Sequence, residues 1–524
     1  MARSLARTLM TALAEAGVDC LFGMPGGGPN LEKIGAGAAA GMRFVLAHGE
    51  TAACIMASTY GVLTGHPGVC VVTRGPGLAS AVNGIAQATL DRYPLLLISD
   101  TVPAAQAARI PHQRLAQVAL TTPATKWSTT LGFENAAEVA RAAVDVALRP
   151  PAGAVHLDFD PTSPGDGSRP PLAPVPRRQR KMLDVARDLV SGAHKPIFLV
   201  GAEAIPWADS VRAAVQAADA PALTTYQAKG LIPDSWPQAA GLFTNGAMER
   251  PVIEAADLIV AVGLDPVEPI PAEWGYPAPV VALHPWELTD PYFEPAVALV
   301  GPVDAHLEAL AGAWSGDWAP DAGRVVKAAA QESISAEGTG LTPHVVVERL
   351  RQAAPPDVVV TVDAGAHFLV VMPLWPVEEP RGLLISNGLA TMGFAVPAAI
   401  GAALARPDRP VLCIVGDGGL GMTVAELETI ARLDVDVTVV VFNDSALSLI
   451  EIKQGRDQGG PAAVRYQPID FAAVARGFGL PAVAADDEVS LAAALGAGWG
   501  RGPKLIDVRV DPSVYPHVIK ATRG

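Results

Sequence analysis

Cysteine is scarce in this chain of 524 residues, with four in all: Cys20, Cys54, Cys70 and Cys413. All sit in apolar runs without metal-ligand spacing, so they read as reduced core residues of a cytoplasmic protein. Long apolar stretches are missing too. No uninterrupted run approaches the ~20 residues that cross a bilayer. The opening MARSLARTLMTALAEAGV is broken by Arg7 and Glu15 and has no cleavage pattern, so it reads as a first helix. Basic residues are outnumbered, 38 against 53 acidic, for a net charge of −15. That balance disfavours nucleic acid or an acidic membrane surface as partner, but not a small anionic substrate. Also lacking is a GxGxxG turn followed about 20 residues on by a ribose-binding acid. Pro25 and Pro29 spoil the one early candidate. This disfavours a nicotinamide or flavin oxidoreductase.

What is present is apolar bulk, 50% of the residues, in a chain long enough for about three domains at ~150 residues each. Strand and helix patterns alternate throughout. In the first part, strands are expected at Cys20–Gly23, Phe44–Ala47, Val69–Thr73, Leu95–Ser99 and Val155–Phe159, with a small-residue helix at Ala52–Gly61. A proline-rich stretch, 161–176, reads as a linker. A second set has strands at Ile197–Val200, Leu258–Val262 and Val280–Leu283, and a second linker is expected over 316–340. The fold class is α/β: three doubly wound parallel-sheet domains over 1–165, 177–320 and 340–524.

The third domain holds the most informative stretch, Val411–Ile450. A β-rich run ends in Gly416-Asp417-Gly418-Gly419. A helical pattern follows from about Thr423 to Leu433, with Ala425, Leu427, Ile430 and Ala431 on one stripe. A second apolar run, Val437–Phe442, ends in Asn443-Asp444. Both strands deliver polar residues to one carboxyl edge, where open α/β sheets bind ligands. Asp417 and Asp444 offer carboxylates and Ala446 a loop carbonyl, an oxygen set suited to Mg²⁺ carrying a diphosphate. The glycines let backbone approach the phosphates. The competing reading is a tight turn whose Asp417 only caps a helix.

GDG followed roughly 27 residues later by an Asn-Asp pair resembles the thiamine diphosphate motif, and GMTVAELETIARL resembles the helix of the acetolactate synthase and 2-oxo acid decarboxylase superfamily. Other stretches are similar to the same family: LFGMPGGGPNL (21–31), HGETAACIMASTYG (48–61), TRGPGLASAVNGIAQATLDRYPLL (73–96), IPHQRLAQVALTTPATKW (110–127), VDAGAHF (362–368) and SNGLATMGFAVPAAIGAALA (386–405).

The resemblance implies a site in two halves. Glu50 would hydrogen-bond the cofactor's pyrimidine and activate it, with a helix-capping glutamate as the alternative. Pro25, Gly26 and Gly77 would line the pyrimidine side. His112, Gln113 and Lys126 fall at substrate-side positions, though Lys126 reads equally as a solvated loop residue. Met392 would bend the cofactor, and the Ala390 carbonyl would hold its amino group. His367, Gly416, Asp417, Gly418, Gly419, Asp444 and Leu447 would hold the diphosphate, with Asp417, Asp444 and Ala446 on the metal. The family's usual Gln is Ala366 here.

The central domain has LDPVEPIP (264–271) where flavin-bearing relatives differ, so FAD is not supported. Ile450 stands where decarboxylases place a glutamate, with Glu451 one position off, and Lys453 replaces the tryptophan of the synthases. The resemblance implies decarboxylation of a 2-oxo acid with ligation to a second carbonyl compound. The alternatives are a non-ligating decarboxylase of the benzoylformate type and a catalytically silent relative. It also implies a homodimer at minimum and a homotetramer as the expected assembly, because family sites bridge two subunits.

Overall fold

The computed structural model describes residues 4–172, 180–288, 293–454, 458–496 and 498–524. Residues 1–3 of the opening segment and 173–176 of the expected linker lie outside the described residues, as does the expected start of the central domain at 177.

Three six-stranded, all-parallel sheets carry the chain. The first contains β1 (Cys20–Gly23), β2 (Arg43–Leu46), β3 (Gly68–Val72), β4 (Leu95–Asp100), β5 (Trp127–Leu131) and β6 (Ala154–Phe159), in the order β2-β1-β3-β4-β6-β5. The second contains β7 (Pro196–Val200), β8 (Ala222–Thr224), β9 (Ala239–Leu242), β10 (Leu258–Val262), β11 (Val280–His284) and β12 (Val297–Val300), in the order β12-β11-β10-β7-β8-β9. The third contains β13 (Val359–Val362), β14 (Leu383–Ile385), β15 (Val411–Gly416), β16 (Val437–Asn443), β17 (Ala482–Ala485) and β18 (Lys504–Arg509), in the order β14-β13-β15-β16-β18-β17. Central strands such as β16 are buried along their whole length, which is why they read as unbroken apolar runs.

Each order has a central switch point where the connections leave in opposite directions, and a crevice opens there at the strands' carboxyl ends. In the first sheet it lies between β1 and β3, which places Pro25, Gly26 and Gly77 on its two loops. In the third it lies between β13 and β15, which places His367 and Asp417 on its loops. In the second it lies between β7 and β10, and the chain's own Glu268 fills it. The Glu268 carboxylate accepts the N–H groups of Ala202 (3.2 Å) and Asp265 (3.2 Å) and the Thr225 hydroxyl (2.5 Å).

The first and third domains share one core. The helix Glu50–Thr64 packs against the helix Ala395–Ala405, joining Ala53, Met56 and Ala57 to Val396, Ala399 and Ile400. Small residues permit this approach: a Cβ on Gly401 would stand 2.4 Å from the Met56 carbonyl oxygen.

The structure corrects two expectations here. The stretch 316–340 is not an irregular linker. It contains a helix, Ala322–Ser333, tied to the central domain by the Arg324 N–H to Pro237 O (3.1 Å) and to the third domain by Gln331 Nε2 to Pro373 O (2.8 Å). Its Asp- and Gly-rich flanks masked a helix stabilised by docking. The strands β5, β8, β9, β12, β13, β14, β17 and β18 escaped the sequence pattern; of these the edge strands β5 and β12 are only half covered. In β5, WSTTL alternates buried and half-buried positions.

Candidate active site

At the carboxyl ends of β13, β15 and β16 a cavity of about 240 Å³ is lined by 364–367, Ala390, Met392, 416–419, Asp444, 446–450 and Tyr515. Helix formation begins at Asp417 itself, in Asp417–Thr423, before a second helix, Glu426–Leu433. The expected start near Thr423 is therefore too late. The glycines after Asp417 read locally as a turn, yet the fold winds them into helix, with Gly418 and Gly419 buried against the cavity.

Asp417 is 7% exposed. Its Oδ1 accepts the Gly418 N–H at 2.6 Å, while Oδ2 is buried without a partner. Burial, and then the neighbouring Asp444, push its carboxyl up to about 6. Asp444 accepts the Ala446 N–H (3.2 Å) and the Ser448 hydroxyl (2.5 Å). Two carboxylates that repel each other, one with an unmatched buried oxygen, are what a divalent cation would relieve. Ala446 adds a backbone oxygen from a fixed loop. Among the described residues no group of three or more His, Cys, Asp and Glu could hold a metal.

His367 is 3% exposed, and its Nε2 is buried without a partner. Burial pushes the imidazole down to about 4, so the ring is neutral. The ring's bond to the Asp363 backbone carbonyl takes the one proton of the neutral imidazole, so Nε2 donates to an anionic oxygen only once that anion draws a second proton onto the ring. A Cβ on Gly416 would stand 3.2 Å from its Cε1, so glycine keeps the ring's seat open. The orphaned Nε2 and the orphaned Oδ2 on one cavity fit a diphosphate and its cation.

Met392 leans over Gly418, where a Cβ would stand 3.3 Å from its Cε. Ala390 holds φ 52°, a left-handed conformation costly for a residue with a Cβ. The loop is fixed by Asp363, whose carboxylate accepts the N–H groups of Gly393 and Ala395, each at 3.0 Å. Burial pushes Asp363 up to about 7. Asp363 and Tyr515 escaped the sequence reading. Asp363 lies in the family-like stretch VDAGAHF without having been singled out there, and Tyr515 had no signal.

The first-domain half gathers around the other crevice. Glu50 is the first residue of its helix and half-buried. A Cβ on Gly77 would stand 3.2 Å from Glu50 Oε1, so the TRGPG loop lies directly against this carboxylate. Gln113 adopts φ 56° beside Gly75, and His112 is exposed. Gln117, not singled out by the sequence, holds the loop from beneath: its Oε1 accepts the Gly75 N–H (2.7 Å) and its Nε2 donates to Asp158 (2.5 Å). The substrate-side reading of Lys126 fails. Its amine donates to the carbonyls of Val146 and Arg149 at the end of the helix Ala136–Leu148, and burial pushes it down to about 8.

Among the described residues, Pro25, Gly26, Glu50, Gly77, His112 and Gln113 do not line the third-domain cavity. No helix among the described residues is long and apolar enough to cross a membrane.

Three family models match the chain. Residues 3–120 match the thiamine pyrophosphate enzyme N-terminal TPP binding domain, 183–310 its central domain and 363–508 its C-terminal TPP binding domain. The chain is 30% identical to an acetolactate synthase of Bacillus subtilis, over 97% of this chain and 93% of that one. It is 29% identical to a catabolic acetolactate synthase of Raoultella terrigena, over 96% and 94%. It is 32% identical to a probable 2-ketoarginine decarboxylase of Pseudomonas aeruginosa, over 96% and 93%. The chain therefore belongs to the thiamine diphosphate-dependent, acetolactate synthase-like enzymes, with carboligase or carboxy-lyase activity.

Proposed function

We propose that this enzyme decarboxylates a 2-oxo acid and ligates the product to a second carbonyl compound, using Mg²⁺ to hold the cofactor. The observation that carries the reading is the pair of unmatched buried atoms, Asp417 Oδ2 and His367 Nε2, on one crevice. When bound, thiamine diphosphate supplies the electron sink for loss of CO2. The protein positions and desolvates. Asp417, Asp444 and the Ala446 carbonyl would hold the cation, and His367 would donate to the diphosphate once the anion stabilises a second proton at Nε2. Met392 and Leu447 shape the cavity above them, and the Ala390 carbonyl accepts from the cofactor's amino group. Glu50 holds a proton at the pyrimidine nitrogen.

Glu50 reaches that position from a second copy, because the cavity of one chain lacks it. This makes a homodimer the minimum and a homotetramer the expected assembly. His112 and Gln113 face substrate from that same copy.

Ligation is favoured over simple protonation by the cavity's mouth. Ile450 lines it, and the acid one position further on is diverted: Glu451 is paired with Arg465 Nε at 2.7 Å. The likeness to acetolactate synthases supports the same reading. The likeness to a 2-ketoarginine decarboxylase supports the alternative, a non-ligating decarboxylase. We infer no flavin in the central domain, because Glu268 occupies its crevice.

The test is calorimetric titration with thiamine diphosphate and Mg²⁺, then CO2 release from a panel of 2-oxo acids with products identified. Hydroxy ketones support ligation, aldehydes alone support the decarboxylase, and no cofactor binding sinks both.

A further inference from the structure

The last helix, Tyr515–Arg523, is tied to three parts of the molecule. Tyr515, 2% exposed, lines the third-domain cavity. His517 Nε2 bonds Ser333 O of the helix between the domains at 2.9 Å. The Thr522 carbonyl accepts the N–H of Ala247 in the central domain at 3.2 Å. The Asp444 oxygens already accept from Ala446 and Ser448. A buried phenol on a cavity wall ordinarily finds a partner.

We propose that the Tyr515 hydroxyl donates to the cofactor's diphosphate, so that an occupied site clamps the last helix and, through it, the contact with the central domain. This rests on the cofactor reading above and adds to it a positioning residue from the far end of the chain.

The test uses the full chain and two measurements. Calorimetry compares thiamine diphosphate with Mg²⁺ on the wild type and on Tyr515→Phe. Amide exchange follows residues 515–523 with and without cofactor. The expected result is roughly tenfold weaker binding for Tyr515→Phe, in line with a lost hydrogen bond to a charged group, and loss of the cofactor-induced protection of 515–523. Equal affinity and equal protection in the two proteins overturn the proposal while leaving the cofactor reading intact. Absence of binding by the wild type overturns both. Should Tyr515→Phe fold poorly, the wild type decides alone: pyrophosphate with Mg²⁺ must protect 515–523 and thiamine without phosphates must not, and the reverse pattern overturns the clamp.

Discussion

The N–H of Leu447 donates to the carbonyl of Val464 at 2.7 Å, and the N–H of Tyr466 returns a bond to Ser445 O at 2.8 Å. Ala446 therefore faces Arg465 across an antiparallel bridge that uses its neighbours' groups rather than its own. The loop proposed to hold the cation is thus splinted by a segment further along the chain. Tyr466→Pro removes one bridge donor. The expected outcome is a several-fold rise in the Mg²⁺ concentration needed for half-maximal cofactor binding, with affinity at saturating Mg²⁺ nearly unchanged. Calorimetry at stepped Mg²⁺ measures it, and an unchanged requirement would remove the splint.

Glu50→Gln keeps the shape of the side chain but not its proton affinity. It is expected to leave cofactor affinity within a few-fold and to lower turnover by about 10² or more, the range of lost general acid–base assistance. Steady-state rates beside a titration separate the two effects. Unchanged turnover would remove the catalytic assignment.

Ala390 sits at φ 52°. A β-branched side chain is a genuine outlier there. Ala390→Val is expected to cost about 1–2 kcal/mol and to weaken cofactor binding, whereas Ala390→Gly stays within about 0.5 kcal/mol of the parent. Urea midpoints at constant slope report the stabilities. Equal behaviour of the two variants would show that the loop relaxes.

His156 is fully buried, with Nε2 bonded to Ser99 (2.7 Å) and Nδ1 near Thr121 (2.9 Å) and Ser128 (2.8 Å). Burial pushes it down to about 3. Between there and its unfolded value of 6.5 the unfolded chain binds a proton that the folded one does not. Its contribution to stability is therefore complete above pH 6.5 and lost as pH falls, by up to about 1.4 kcal/mol per pH unit. His156→Gln is expected to be less stable overall but to lose less on going from about pH 6.5 to about pH 5. Parallel stability curves over that interval would contradict this.

The sequence alone determined the strands that carry the cofactor site. β15 and β16 are continuous runs rich in Val, Ile and Leu closed by polar residues, and such runs have one stable fate, the middle of a covered parallel sheet. The same local logic placed Asp417, Asp444 and Ala446 on one edge, and the family resemblance of VDAGAHF added His367. The tertiary structure decided what depends on partners distant in the chain. The Lys126 amine goes to helix carbonyls rather than substrate, and 322–333 becomes helix on docking. Asp363 and Tyr515 acquire their positions from segments far away in sequence. Only the assembled fold shows that Glu50 and Asp417 lie on separate crevices of one chain. Spacing within an element fixes which face a side chain takes, but the distance between two elements is set by the packing of everything between them.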